Sequence, residues 1–518
     1  MSTTTTRWAV GIDVGVRSAH KLAIFDRTTS KRVRRTFSVP RRWEGVRDLQ
    51  ELLSQADQVE IAIEPADSAW RPLAGALLAF GFKVFLIDPK KSSRLRKALR
   101  DHVKSYKVDA QALARLLMLV PDELDPLRVP PAPVVRLRDM VRHRDRLVEG
   151  TSARKRRLQS LVGQIQPTLM QALGQDKLLG AYRAFLRKYV DPRSVLRLGK
   201  KRLHAFLDRR YRGRFDLERT EKIFEAARSG ARLLEAQETG DGPFFGAEQI
   251  QLEVDMELDL LEAEEAQIRR LETEIGALYK KLDPKGVLRT LPGFGPIIAA
   301  GVLGETGAVE RFPNVGKYRG FVSLVPRHKS TGKSHNPRQK LRKAGPRLLK
   351  KYLYLAAENA RRADLELAAF YARLMRKGRH HDQAVCAVAN KLAGRAYAVM
   401  KRMGDPERTD SRYVYRDLHG RPISKAEARR QIQEGIPDSP GDQDQHVDDD
   451  SVLESVDEPS AAREMRRPRP AYSRPPETDA SSSGRGTPQH VSQVLARSGL
   501  LGLLDPTEPP SDYEPPES

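Results

Sequence analysis

Two carboxylates stand where strand patterns run out. Asp13 follows the apolar run Trp8-Ala9-Val10-Gly11-Ile12, and Glu64 follows Ile61-Ala62-Ile63. A single acid at a strand end is usually a turn residue. Two acids at the ends of neighbouring strands would instead face one site. Hard oxygen ligands in such a pair suit Mg2+, which in two-metal phosphoryl transfer holds the attacking and leaving oxygens of a phosphate. A third contribution is expected from the helix after Asp88, where Lys104-Ser105-Tyr106-Lys107-Val108-Asp109-Ala110 precedes Leu113-Ala114-Arg115-Leu116. Asp109 falls near the start of that helix, where the plain alternative is a capping residue favoured by the helix dipole.

The elements that must position these acids alternate in type. Residues 8–15 read as a buried strand, with Lys21–Asp26 and Val33–Val39 as its neighbours and turn residues between them. A helix over Trp43–Ala56 leads to strand Glu60–Glu64, and a second helix over Ser68–Phe80 leads to Lys83–Asp88, which Pro89 stops. Three strands, helix, strand, helix, strand is the element order of a ribonuclease-H-like α/β domain. Residues 134–165 and 247–282 predict long helices. In the second, Val254, Leu258, Leu261, Ile268, Leu271, Ile275, Leu278 and Leu282 recur at steps of four and three, interrupted at Glu265. That is a heptad seam, equally suited to packing within its own domain, to a coiled-coil hairpin and to a dimer contact. Residues 167–246 between them read as helical and basic. From Val287 to Met403 the pattern is that of a compact helical domain.

The chain has 518 residues, 92 Lys+Arg against 68 Asp+Glu, and one cysteine. The stretch from Pro437 onward holds 7 basic and 17 acidic residues and 13 of the 34 prolines, which predicts a disordered acidic tail. Without it the body carries 85 basic and 51 acidic residues, a net +34. A surplus of that size calls for a polyanion, and nucleic acid comes first. The basic residues are too dispersed for a membrane-surface helix. No apolar run approaches the roughly 18 residues of a membrane span. The start at Met1 lacks the pattern of a secretory signal. A lone Cys386 excludes a disulfide framework and a cysteine-only zinc cluster, and suits a cytoplasmic protein.

Further along, Leu288–Leu291, Pro292-Gly293-Phe294-Gly295 and Pro296–Ala300 read as a helix–hairpin–helix, in which Gly293 and Gly295 let backbone N–H groups approach a DNA phosphate. An ordinary tight turn is the alternative; the basic background favours DNA. Lys340, Arg342, Lys343, Arg347, Lys350 and Lys351 read as phosphate contacts, with Lys333 upstream of them. Gly332-Lys333-Ser334 is not a nucleotide loop, because Arg327 stands where that pattern needs glycine. His380, His381 and Cys386 lack a fourth ligand for zinc and read as solvated or DNA-facing histidines. Tyr352 and Tyr354, in an apolar helix, read as core.

Taken together, Gly11-Ile12-Asp13-Val14-Gly15, Ile63-Glu64-Pro65, Trp70-Arg71-Pro72-Leu73, Phe80–Val84 and Lys104–Ala110 resemble the N-terminal domain of the insertion-sequence one-ten transposases, also called bridge-RNA recombinases and related to the Piv DNA invertases. Leu291–Gly295, Arg311-Phe312-Pro313, Leu324-Val325-Pro326, Ser330–Ser334, Lys343-Ala344-Gly345-Pro346, Ala360-Arg361-Arg362 and Gly378-Arg379-His380-His381 are similar to its C-terminal transposase domain.

The resemblance implies a RuvC-like domain at 7–130 with a DEDD metal tetrad, a helical coiled-coil region at 131–286, and a transposase domain at 287–403 supplying a serine nucleophile. A helical extension at 404–436 and the acidic tail at 437–518 would follow. It further implies Mg2+, a non-coding guide RNA that pairs with donor and target DNA, and a dimer or tetramer. Asp13, Glu64 and Asp109 match three of the four acids. Tyr106 stands at the third acid of the family's Lys-Thr-Asp-x-x-Asp-Ala, with Asp101 a nearby substitute. Thr331 occupies the place of the serine, with Ser330 and Ser334 as alternatives. Those departures leave two rivals open: a catalytically degenerate nucleic-acid-binding derivative, and a metal-dependent nuclease of branched DNA in which water replaces the hydroxyl.

Overall fold

The structure, a computed structural model, describes residues 5–65, 67–99, 106–173, 180–210, 215–238, 246–325, 330–331, 334–335, 344–404 and 411–435. Expectations for Asp101, Lys333, Lys340, Arg342, Lys343 and the acidic tail lie outside those residues. The chain divides into two compact units at Val129 and Pro130.

The first unit is mixed α/β. Its elements are β1 (Arg7–Asp13), β2 (His20–Asp26), β3 (Arg32–Val39), α1 (Trp43–Leu53), β4 (Gln58–Glu64), α2 (Trp70–Ala79), β5 (Lys83–Leu86), α3 (Pro89–Leu99) and α4 (Tyr106–Leu119). The strands form one sheet in the order β3-β2-β1-β4-β5. β1 to β3 run antiparallel, and β4 and β5 run parallel to β1. Strand alternation sorts side chains onto two faces. Trp8, Val10, Ile12, Ile61 and Ile63 pack with Val46, Leu49 and Leu53 of α1 and Leu73 and Leu77 of α2. Ala9, Ala62 and Phe85 face Leu113, Leu116 and Leu117 of α4, and Ala23 and Phe25 face Ala110 and Ala114. One face therefore carries large aliphatics, and the other pairs small alanines with Phe25 and Phe85.

The second unit is mostly helical. α5 (Ala132–Ile165) and α11 (Ala247–Leu282) run antiparallel, with α6 (Leu169–Ala172), α7 (Gly180–Leu186), α8 (Pro192–Leu198), α9 (Lys200–Arg210) and α10 (Leu217–Glu238) between them in sequence. Arg144–Glu272, Arg154–Glu264 and Arg157–Glu253 pairs tie the two long helices and fix their opposite direction. The heptad seam packs inside its own chain and divides between two cores. Val254, Leu258 and Leu261 join a core with α6 to α10. Ile275 and Tyr279, with Leu271, Leu278 and Leu282, join a second core. That core is built by α12 (Pro296–Thr306), α13 (Val315–Val322), α14 (Arg347–Ala360), α15 (Leu365–Arg376) and α16 (His381–Met403). Tyr352 and Tyr354 are buried in it, as their apolar helix implied.

A short strand pair, β6 (Ser330–Thr331) with β7 (Ser334–His335), precedes α14, and β8 (Tyr415–Arg416) with β9 (Pro422–Ile423) precedes α17 (Lys425–Glu434). Ser424 caps the start of α17. Among the described residues no helix is long and apolar enough to cross a membrane.

Candidate active site

The register of β1 and β4 sets Asp13 directly beside Glu64. By alternation Asp13 shares its face with Ala9 and Gly11, and Glu64 shares its face with Ala62; this is the face that α4 covers. Gly11 is what lets α4 come close. A Cβ on Gly11 would lie 2.9 Å from Leu113 Cβ and would overlap Ala110 O and Ala114 N outright. The helix backbone therefore rests on the strand backbone, one residue beyond Asp109. Asp109 sits in the first turn of α4, as its sequence position predicted.

Asp13 senses the other two carboxylates. Burial, then the charges of Asp109 and of Glu64, push the Asp13 carboxyl up to about 6. α3 supplies partners that the sequence reading missed. Ser92, itself buried, donates its hydroxyl to Glu64 Oε2 at 2.6 Å, and Arg96 Nη1 lies 2.5 Å from Asp109 Oδ1. The only advance signal was their i, i+4 spacing, which places both on one side of a helix. As they stand, no three His, Cys, Asp or Glu side chains among the described residues are gathered closely enough to hold a metal ion. The donor set nevertheless fits a hard divalent cation in kind: carboxylate oxygens on one face, crowded enough that one of them is held protonated into mildly acidic pH. Tyr106 begins α4 and is described by its backbone alone.

In the second unit the candidate nucleophile residues lie on one short strand pair, where Ser330 pairs with His335 and Thr331 with Ser334. The turn at Pro292–Gly295 differs from the expected helix–hairpin–helix. What precedes it is a single 3-10 turn, Leu288–Thr290, rather than a helix. Gly293 has φ +78°, and a Cβ there would overlap the Ala356 carbonyl of α14, so packing within the core already requires this glycine. Gly295 is the residue before α12 and has open space around its Cα.

Three of the basic residues read as phosphate contacts serve the fold instead. Lys350 is buried and donates to the Ala344 carbonyl, Lys351 pairs with Asp145 of α5 at 2.6 Å, and Arg347 pairs with Glu149 of α5. His380 is exposed and its ring accepts from Asp382 N. His381 lies between Glu358, 2.8 Å away, and the Tyr371 hydroxyl, also 2.8 Å away, so it is tethered rather than free. Cys386 is buried, and burial pushes its thiol up to about 12, which leaves it inert at neutral pH.

Residues 10–167 match the transposase family model of the DEDD type, and residues 285–372 match the transposase family described as IS116/IS110/IS902. The chain is 25% identical over 358 residues to the 44.8 kDa protein of insertion element IS116 from Streptomyces clavuligerus, covering 68% of this chain and 85% of that protein. It is 26% identical over 345 residues to the 43.6 kDa protein of insertion element IS110 from Streptomyces coelicolor, covering 66% and 81%. Against the 42 kDa protein of insertion element IS900 from Mycobacterium paratuberculosis it is 25% identical over 358 residues, covering 67% and 84%. Two stretches of the chain are thus similar to transposases of insertion elements of the IS110 group.

Proposed function

We propose that the chain cuts and rejoins DNA for an insertion element through a protein hydroxyl and a divalent cation, Mg2+, held by Asp13, Glu64 and Asp109. The observation that carries this reading is the Asp13–Glu64 register beneath α4, with Asp13 pushed up by both neighbouring acids. The first unit would then be a RuvC-like domain, and Thr331, or Ser330 beside it, the nucleophile. A bound cation would supply charge stabilisation for the phosphate oxygens.

The chain's own residues do the rest. Thr331 Oγ1 forms a bond to phosphorus and gives up its proton to solvent. The bond from phosphorus to one deoxyribose oxygen breaks, and that oxygen takes a proton. The phosphodiester energy is kept in the protein–DNA link, so a deoxyribose hydroxyl from a second strand can reverse the step and rejoin. Ser92 holds Glu64 in place. Gly295, Lys333, Lys340, Arg342 and Lys343 would contact DNA phosphates, and the +34 body suits DNA together with a structured guide RNA. Assembly as a dimer or tetramer would bring two such nucleophiles to one junction.

A plasmid recombination assay that retains the flanking non-coding DNA tests this, run with wild type, Asp13→Asn, Thr331→Ala, Ser330→Ala and Tyr106→Asp. Junctions and a covalent protein–DNA adduct from wild type, both lost with Asp13→Asn and with one of the two hydroxyl variants, are expected. Mg2+-dependent cutting without an adduct would replace the hydroxyl by water. A silent wild type rescued by Tyr106→Asp would make this copy a degenerate binder.

A further inference from the structure

α3 is a polar, basic helix, Pro-Lys-Lys-Ser-Ser-Arg-Leu-Arg-Lys-Ala-Leu, that lies against α4 with Leu95 as its apolar contact. What it presents there is chemistry. Ser92 has one hydroxyl hydrogen and two acceptors in range, Glu64 Oε2 at 2.6 Å and Pro89 O at 3.0 Å; the nearer, charged oxygen takes it. One turn on, Arg96 reaches Asp109 with both side chains more than four-fifths buried, and its second nitrogen donates to Ser93 Oγ at 3.3 Å.

We propose that Arg96 is a resident counter-ion of the carboxylate site, holding Asp109 while no metal is bound and competing with the divalent cation for it. This deepens the metal-site reading above and rests on it. Crowded carboxylates at neutral pH are relieved either by taking a proton or by pairing with a cation. Asp109, on the other wall of the site, takes the second route through Arg96. A guanidinium brings one charge on a long rotatable stem. A divalent cation brings two and draws on several carboxylates together, so it prevails where it is abundant. The exchange needs only rotation of the Arg96 side chain, because Ser92, on the same side of α3, holds the helix to Glu64. The pair thus keeps the site assembled before loading and sets the metal concentration at which it loads.

The test is a Mn2+ titration of the full chain, with free Mn2+ read by electron paramagnetic resonance, for wild type, Arg96→Gln, Arg96→Lys and Asp109→Asn. Arg96→Gln should bind about five- to tenfold more tightly, the worth of releasing one partly exposed ion pair. Arg96→Lys, which keeps the charge, should stay near wild type, and Asp109→Asn should bind most weakly. With chelator present, Arg96→Gln should unfold at lower urea than wild type, and Mn2+ should raise its midpoint by more. Equal or weaker Mn2+ binding by Arg96→Gln, with tight binding by wild type, would overturn the competition and make Arg96 a positioning residue that aids loading. No Mn2+ binding by any of the four proteins would remove the metal site itself, and the competition with it.

Discussion

Replacing Asp13 by asparagine should make the metal-free protein more stable at neutral pH while abolishing strand exchange. An aspartate in an unfolded chain titrates at about 3.9, whereas burial and the charges of Asp109 and Glu64 push Asp13 up to about 6. The folded protein therefore binds this proton more tightly than the unfolded chain does. Below about pH 4 both states are protonated and the carboxyl carries no penalty. As pH rises towards 6 and beyond, the folded state must ionise a crowded carboxyl, and stability falls. The full difference corresponds to about 3 kcal/mol. Asp13 is not fully buried, so solvent screening leaves on the order of 1–2 kcal/mol. Asparagine keeps the shape without the charge. Urea unfolding with chelator present should show Asp13→Asn ahead by that margin at pH 7.5 and by about half of it at pH 5. Adding Mn2+ should close the gap by stabilising wild type. A gap that does not change between the two pH values, or a wild type more stable at pH 7.5, would refute the electrostatic coupling on which the site rests.

Three further outcomes follow from the packing. Gly11→Ala should cost at least about 2 kcal/mol and abolish recombination together, because the new methyl group meets helix backbone rather than a flexible side chain; urea unfolding and junction sequencing check both. Arg142 holds the buried Glu305 through two hydrogen bonds of 2.6 and 2.8 Å between α5 and α12. Arg142→Ala should destabilise by about 3 kcal/mol by stranding that carboxylate, and Arg142→Met with Glu305→Leu should recover most of it, as a double-mutant cycle would read. Cys386 should resist a thiol reagent at pH 8 in the native protein and react fully in urea; fast native labelling would contradict its burial.

Part of this was legible because local periodicity carried it. The apolar runs of β1 and β4 end at Asp13 and Glu64, and strand order alone then puts them side by side. The 3.5-residue recurrence from Val254 marked α11 over its full length. It could not say that the seam is shared between two cores, since both halves look alike in sequence and differ only in what covers them. Residues whose meaning lies in a distant partner were misread or missed. Arg347, Lys350 and Lys351 look like a phosphate-binding run, yet two of them answer acids about 200 positions upstream and the third a backbone carbonyl. Gly293 looked like room for a phosphate and is needed for Ala356.

The same blindness hid Ser92 and Arg96, and for an instructive reason. A mostly polar helix announces only through Leu95 which side faces inward, so the residues that touch the acids look like solvated surface. Around this site the sheet uses small residues, Ala9, Gly11, Ala23 and Ala62, on one face so that α4 can approach, and charge from α3 to hold what α4 brings. Close approach concentrates negative charge, and concentrated charge demands a cation, first from the chain itself and then from solution. The order of those two steps follows from the positions of Gly11, Asp109 and Arg96.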